Sequence, residues 1–153
     1  MIDDLLKIAD DLANRDSGRP RHASLRRAVA TAYYALFHAV SERCSATLVT
    51  FGGSDWETYA LVYRAFDHAK LEKVFKEKTS REYLGPQIAG IGDAFLQLQV
   101  ARIAADYDPK PFSYGKSEIL QLIEQARSAS QQMRDLPEKD SRRLAALLIG
   151  KRR

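Results

Sequence analysis

A chain of 153 residues, 45% apolar and 29% charged, is long enough to bury a core and too apolar to be disordered throughout. Its single cysteine, Cys44, excludes an intramolecular disulfide, and no stretch reaches the ~18–20 apolar residues that a membrane-crossing helix needs. The formal charge of +4 resides at one end: residues 138–153 hold six Lys and Arg against two acids, and the other 137 balance at 18 of each sign.

The opening residues, Met1 to Arg15, carry acids early and lack the apolar run of a secretory signal, so a cytoplasmic location without membrane contact is expected. Ile2, Leu5, Leu6, Ala9, Leu12 and Ala13 repeat at helical spacing and predict a helix over residues 2–15. A second, over residues 22–49, has the stripe Leu25, Ala28, Val29, Ala32, Leu36, Ala39, Val40 and Thr47, whose small members admit a close partner helix. After the Gly52-Gly53 turn, Ser54 reads as an N-cap for a helix over 56–66, in which Trp56, Tyr59, Tyr63 and Phe66 form a core stripe. A continuation or separate helix covers 68–78. Further helices are expected over 87–107, where Gly90 and Gly92 interrupt the pattern, and over 116–136. Pro137 then starts a last helix over 138–149. No alternating segment reads as a strand. The expected fold is an all-α antiparallel bundle of about five to seven helices. Residues 1–136 form its single domain, and 137–153 a basic helix or tail. That tail is read as a solvated end or as a nucleic-acid contact acting by counterion release.

On a wheel of the 87–107 helix, Ile88, Ile91, Phe95 and Leu98 share one face, and Arg102 falls in the middle of it. A guanidinium in an apolar stripe needs a partner, and Asp106 stands one turn further on. Arg102 is either a structural clamp or a fixed cation for a phosphate or a developing negative charge. On the second helix Arg27, Thr31, Tyr34 and His38 share a face opposite the apolar stripe, while Tyr33 points elsewhere. This face suits a dimer interface, or a site in which His38 moves protons and Arg27 and Tyr34 bind substrate. His22, His38 and His68 are scattered, with no metal-ligand spacing, so neither a metal nor another cofactor is expected. Cys44 has no activating neighbour in sequence and reads as a packing residue.

Arg27, Tyr33-Tyr34 and Phe37-His38 resemble the signature helix of the small HEPN-like helical proteins, and Arg102-Ile-Ala-Ala-Asp106-Tyr107 resembles their later R-x-x-A-D-Y helix. The two motifs stand in the family's order, about 70 residues apart, and cover about a fifth of the chain. The resemblance implies a compact bundle, a homodimer, an association with RNA, and for toxin-type members a nucleotidyltransferase-type protein partner. In the active ribonucleases an Arg and a His separated by four to six residues cleave RNA without metal. After Arg102 those places hold Tyr107, Asp108 and Pro109, so the histidine of that pair is missing. The catalytic candidates are therefore Arg102, Asp106, Tyr107 and His38, with Arg27 and Tyr34 for binding. The alternatives are a non-enzymatic dimeric interaction module and a bundle that binds a nucleotide or small anion.

Overall fold

The computed structural model describes residues 1–49 and 55–150. Among them are eight helices and no strand: α1 (Ile2–Ala13), α2 (His22–Leu48), α3 (Trp56–Arg64), α4 (His68–Lys76), α5 (Lys78–Leu84), α6 (Pro86–Tyr107), α7 (Lys116–Asp135) and α8 (Glu138–Ile149). Among the described residues no helix is long and apolar enough to cross a membrane. Gly52, Gly53 and Ser54 lie outside the described residues. The N-cap of α3 is Asp55, whose carboxylate accepts from the Thr58 amide at 3.0 Å.

The hub is α2, which packs against α1, α3, α6, α7 and α8. Its stripe Leu25, Ala28, Val29, Ala32, Leu36, Ala39 and Val40 is buried as the periodicity requires, while Thr47, the last member expected, is half-buried. The burial extends to Ala30, Tyr33, Ala35, Phe37 and Cys44, so α2 is apolar on several sides. Two of the pairings, α1 with α7 and α2 with α6, are antiparallel, whereas α2 runs along α7 in the same direction, with Arg43 near its end donating to the Leu136 carbonyl just past α7 at 2.6 Å. Arg134 of α7 meets Asp3 of α1 at 3.0 Å and Arg127 meets Asp10, one end to the other. Arg26 near the start of α2 meets the end of α6, while Tyr33, further along, lies 5.2 Å from Phe95 in its middle.

Arg26 ties that crossing down. The last turn of α6 has no cation of its own, yet the carbonyls at a helix end need donors. The guanidinium of Arg26 gives hydrogen bonds to the carbonyls of Ala104 (3.1 Å), Ala105 (2.8 Å), Asp108 (3.0 Å) and Lys110 (2.7 Å), and lies 5.0 Å over the Phe112 ring. Gly90 and Gly92 do not break α6. Gly92 makes room for a crossing: a Cβ there would stand 2.7 Å from Phe75 of α4.

Three expectations change. The helix expected over 68–78 is α4, ending at Lys76, and a further helix that was not expected, α5, follows it and raises the total among the described residues to eight. Glu77 adopts an extended ψ of 120° between α4 and α5, and its carboxylate takes the Ser80 hydroxyl at 2.6 Å. The Trp56 stripe is not core. Trp56 is 65% exposed, Tyr59 and Tyr63 are half-buried, and α3 itself buries no residue; only Phe66, just past it, reaches the interior. The segment read as a solvated end is a packed helix as far as Ile149. Leu144, Ala145 and Leu148 of α8 join the same core as α2, and Thr47 meets Ser141 at 2.9 Å. Residues 151–153 lie outside the described residues.

Candidate functional site

Because α6 crosses α2 antiparallel, Arg102 lands beside the paired tyrosines of α2. Its Nε donates to Asp106 at 3.1 Å and its Nη2 to the Tyr34 hydroxyl at 3.1 Å. The guanidinium carbon lies 5.2 Å from the Tyr33 ring, 5.4 Å from Tyr34 and 5.8 Å from Tyr107. The side chain is 12% exposed. Burial works against its charge, but Tyr34, Tyr33 and Asp106 outweigh burial and hold the guanidinium charged above its ordinary value. Its Nη1 has no acceptor among the described residues.

The wheel placed Asp106 beside Arg102, and the structure does the same; it adds Tyr34, which the sequence put on a separate face of the second helix. It also brings in two residues that the sequence set aside. Tyr33 is buried completely, and its hydroxyl lies 2.6 Å from Nδ1 of His68, the first residue of α4. The His68 ring stacks on Phe37 at 4.2 Å and on Tyr33 at 5.5 Å, and stands edge-on to Tyr34 at 6.0 Å. A histidine does therefore stand by Arg102, supplied by another helix and 34 residues ahead of the arginine. No local spacing rule could have linked them. The available signals were Asp67, an N-cap that accepts from the Lys70 amide at 2.8 Å, and the aromatic residues on two sides of α2.

His38 lies one turn beyond Tyr34 and is bound through Nδ1 to the Tyr63 hydroxyl, with the two rings 5.9 Å apart. Tyr63 is pushed up to about 12, chiefly by burial, so it stays a phenol. Tyr107 is 70% exposed, at the edge of the cluster. Arg27 is exposed, two turns before Tyr34 on the same face of α2 and about 10 Å along its axis. It has no side-chain partner among the described residues, in contrast with its buttressing neighbour Arg26. In α8, Arg142 pairs with Glu138 at 2.8 Å and Arg143 covers the Tyr83 ring at 5.2 Å. Cys44 is buried, and burial pushes its thiol up to about 12, which suits packing rather than reactivity. No group of three or more metal-ligating side chains gathers among the described residues.

Burial holds both His38 and His68 below the ordinary value of 6.5, and the Arg102 charge adds to the effect at His68. Each binds its proton less readily in the fold than in the unfolded chain. Their contribution to stability is thus complete above pH 6.5 and is lost as the pH falls through the folded-state values. Between pH 6.5 and about 5, above the usual carboxylate range, the melting temperature is expected to fall on acidification. In His38→Gln/His68→Gln this slope is expected to flatten. An unchanged slope would place the titration elsewhere.

Comparison of the chain with protein-family models, with curated proteins and with solved structures finds no match.

Proposed function

We propose that this chain is an HEPN-like, RNA-associated protein that grips a backbone phosphate at Arg102. The observation that carries the reading is the free edge of that guanidinium. Nε and Nη2 are fixed by Asp106 and Tyr34, and Nη1 is left without an acceptor beside a neutral imidazole and an exposed tyrosine ring. A planar fork clamped on two sides loses little freedom when it takes a phosphate oxygen. Tyr107 adds an aromatic face on which a base can stack, and Arg27 lies on the same side of α2 for a second phosphate.

The test is binding of fluorescent single-stranded RNA over a salt series. Binding is expected to weaken steeply with salt and to depend on Arg102. Affinity that ignores both would remove the reading. A gel of the same samples shows whether the RNA is cut in the manner of the family's metal-independent ribonucleases, with Arg102 stabilising the charged phosphate.

A second observation favours the interaction-module reading. Val100, Ile103 and Tyr107 follow one another at three- and four-residue steps along α6 and are 63%, 46% and 70% exposed. Such an apolar line beside the site suits a homodimer contact. The face first considered for it, Arg27/Tyr34/His38, has its two rings engaged within the chain. Light scattering at tens of micromolar is expected to give a dimer that Val100→Glu/Ile103→Glu converts to monomer. A wild-type monomer at that concentration removes the reading.

A further inference from the structure

We propose that Tyr33 is a positioning residue: it holds His68 in the Nε2–H tautomer, so that His68 offers the phosphate at Arg102 a hydrogen-bond donor and not a base. Tyr33 has no exposed surface, and its O–H must be given to an acceptor inside the protein. The only acceptor it meets among the described residues is Nδ1 of His68, at 2.6 Å. Were Nδ1 protonated in a neutral ring, it would donate to the phenol oxygen and leave the phenol proton sealed in the core with no acceptor. Nδ1 therefore accepts, and the ring proton of the neutral imidazole sits on Nε2.

The groups around His68 are Tyr33 and Tyr34 of α2, Arg102 of α6, Asp67 before α4 and His38. Burial and the Arg102 charge outweigh the pull of Asp67, so the ring is neutral at neutral pH and its tautomer decides what it can do. The direction of Nε2 is set as well. The ring lies against Phe37, with planes 28° apart, and against Tyr33, 27° apart. Nε2 has no acceptor among the described residues, and neither has Nη1 of Arg102. Both groups lean on the same two tyrosines. The result is two N–H donors on one aromatic cluster, neither of them with an acceptor among the described residues. Such a pair fits a ligand that arrives already charged, a phosphodiester or a terminal phosphate. If RNA is cut here, the pair stabilises charge on the phosphate and neither member takes the nucleophile's proton.

The ligand in this inference rests on the reading of the cluster as a phosphate site; the tautomer does not. The full-length protein labelled with 15N in its histidines would be read by long-range proton–nitrogen correlation at neutral pH. In the wild type, His68 is expected to show a bare Nδ1 and a protonated Nε2. In Tyr33→Phe, which keeps the ring and its packing, the two nitrogens are expected to move towards averaged values. A wild-type Nδ1–H, or a tautomer that Tyr33→Phe leaves untouched, overturns the assignment. Inorganic phosphate is then titrated into both proteins. It is expected to shift His68 Nε2 in the wild type and to bind Tyr33→Phe about tenfold more weakly, the change carried by one hydrogen bond to a charged group. Equal affinity, or no shift in the wild type, overturns the paired-donor role. A locked tautomer with phosphate binding but no RNA binding upholds Tyr33 and removes the RNA reading alone.

Discussion

Arg102→Ala is expected to weaken single-stranded RNA binding about 10- to 100-fold, the range of one or two hydrogen bonds to a charged group, while the bundle still folds. The guanidinium spans two partners that regain water once it is gone. The Asp106 carboxylate is 22% exposed near the end of α6, and Tyr34 is half-buried. Removing the cation thus strands no fully buried charge, and stability is expected to fall by only about 1–2 kcal/mol, well under the 3–5 kcal/mol of a broken buried pair. Arg102→Lys keeps the charge and loses the planar fork. It is expected to restore part of the affinity and little of its salt-independent portion. The outcome against this account is a sharp fall in melting temperature in Arg102→Ala with RNA affinity retained in the folded fraction. Arg102 would then be a clamp between α6 and α2 and no more.

The largest loss of stability is expected one residue away from a site candidate. Arg26→Ala takes the donor from four carbonyls at the end of α6 and in the chain that follows. Those of Asp108 and Lys110 are exposed and return to water at small cost. Those of Ala104 and Ala105 are partly buried, and the stem that covers Phe112 is lost with the charge. Hydrogen bonds to a charged group are worth about 1.5–3 kcal/mol each, so a loss of roughly 3 kcal/mol in chemical denaturation is expected. Arg27→Ala is the internal control. It is expected to stay within about 0.5 kcal/mol of wild type, as exposed changes away from special features do. Equal effects at the two positions would mean that the Arg26 contacts contribute nothing.

This contrast shows what could be read from the sequence. The stripes of α1, α2 and α6 were legible because each buries a face at helical period, and α6 shows its odd member, Arg102, by the same period. Helix α5 was not legible. It buries only Ser80 and Leu84 and follows α4 with neither Gly nor Pro between them. The α3 aromatics repeat at the spacing of a core stripe, but the period records only a shared face and not what the face meets. Arg26 and Arg27 look alike in sequence. The 100° turn between them sends one to the end of α6 and the other to solvent. His68 and Tyr33 join Arg102 only through the crossing of three helices, and no local spacing records that meeting.

A helix that buries none of its residues also has little to hold it closed. Opening α3 exposes no fully buried residue of its own, only half-buried ones such as Val62, so its amides are expected to exchange with solvent at a far lower free-energy cost than those of α2, whose exchange requires the whole bundle to come apart. Each such opening breaks the Tyr63–His38 bond and releases an imidazole that is otherwise occupied. His38 is thus expected to alternate between a bound and a free ring at the rate at which α3 breathes, while His68, on a helix that buries Leu71, Val74 and Phe75, is expected to keep its partner.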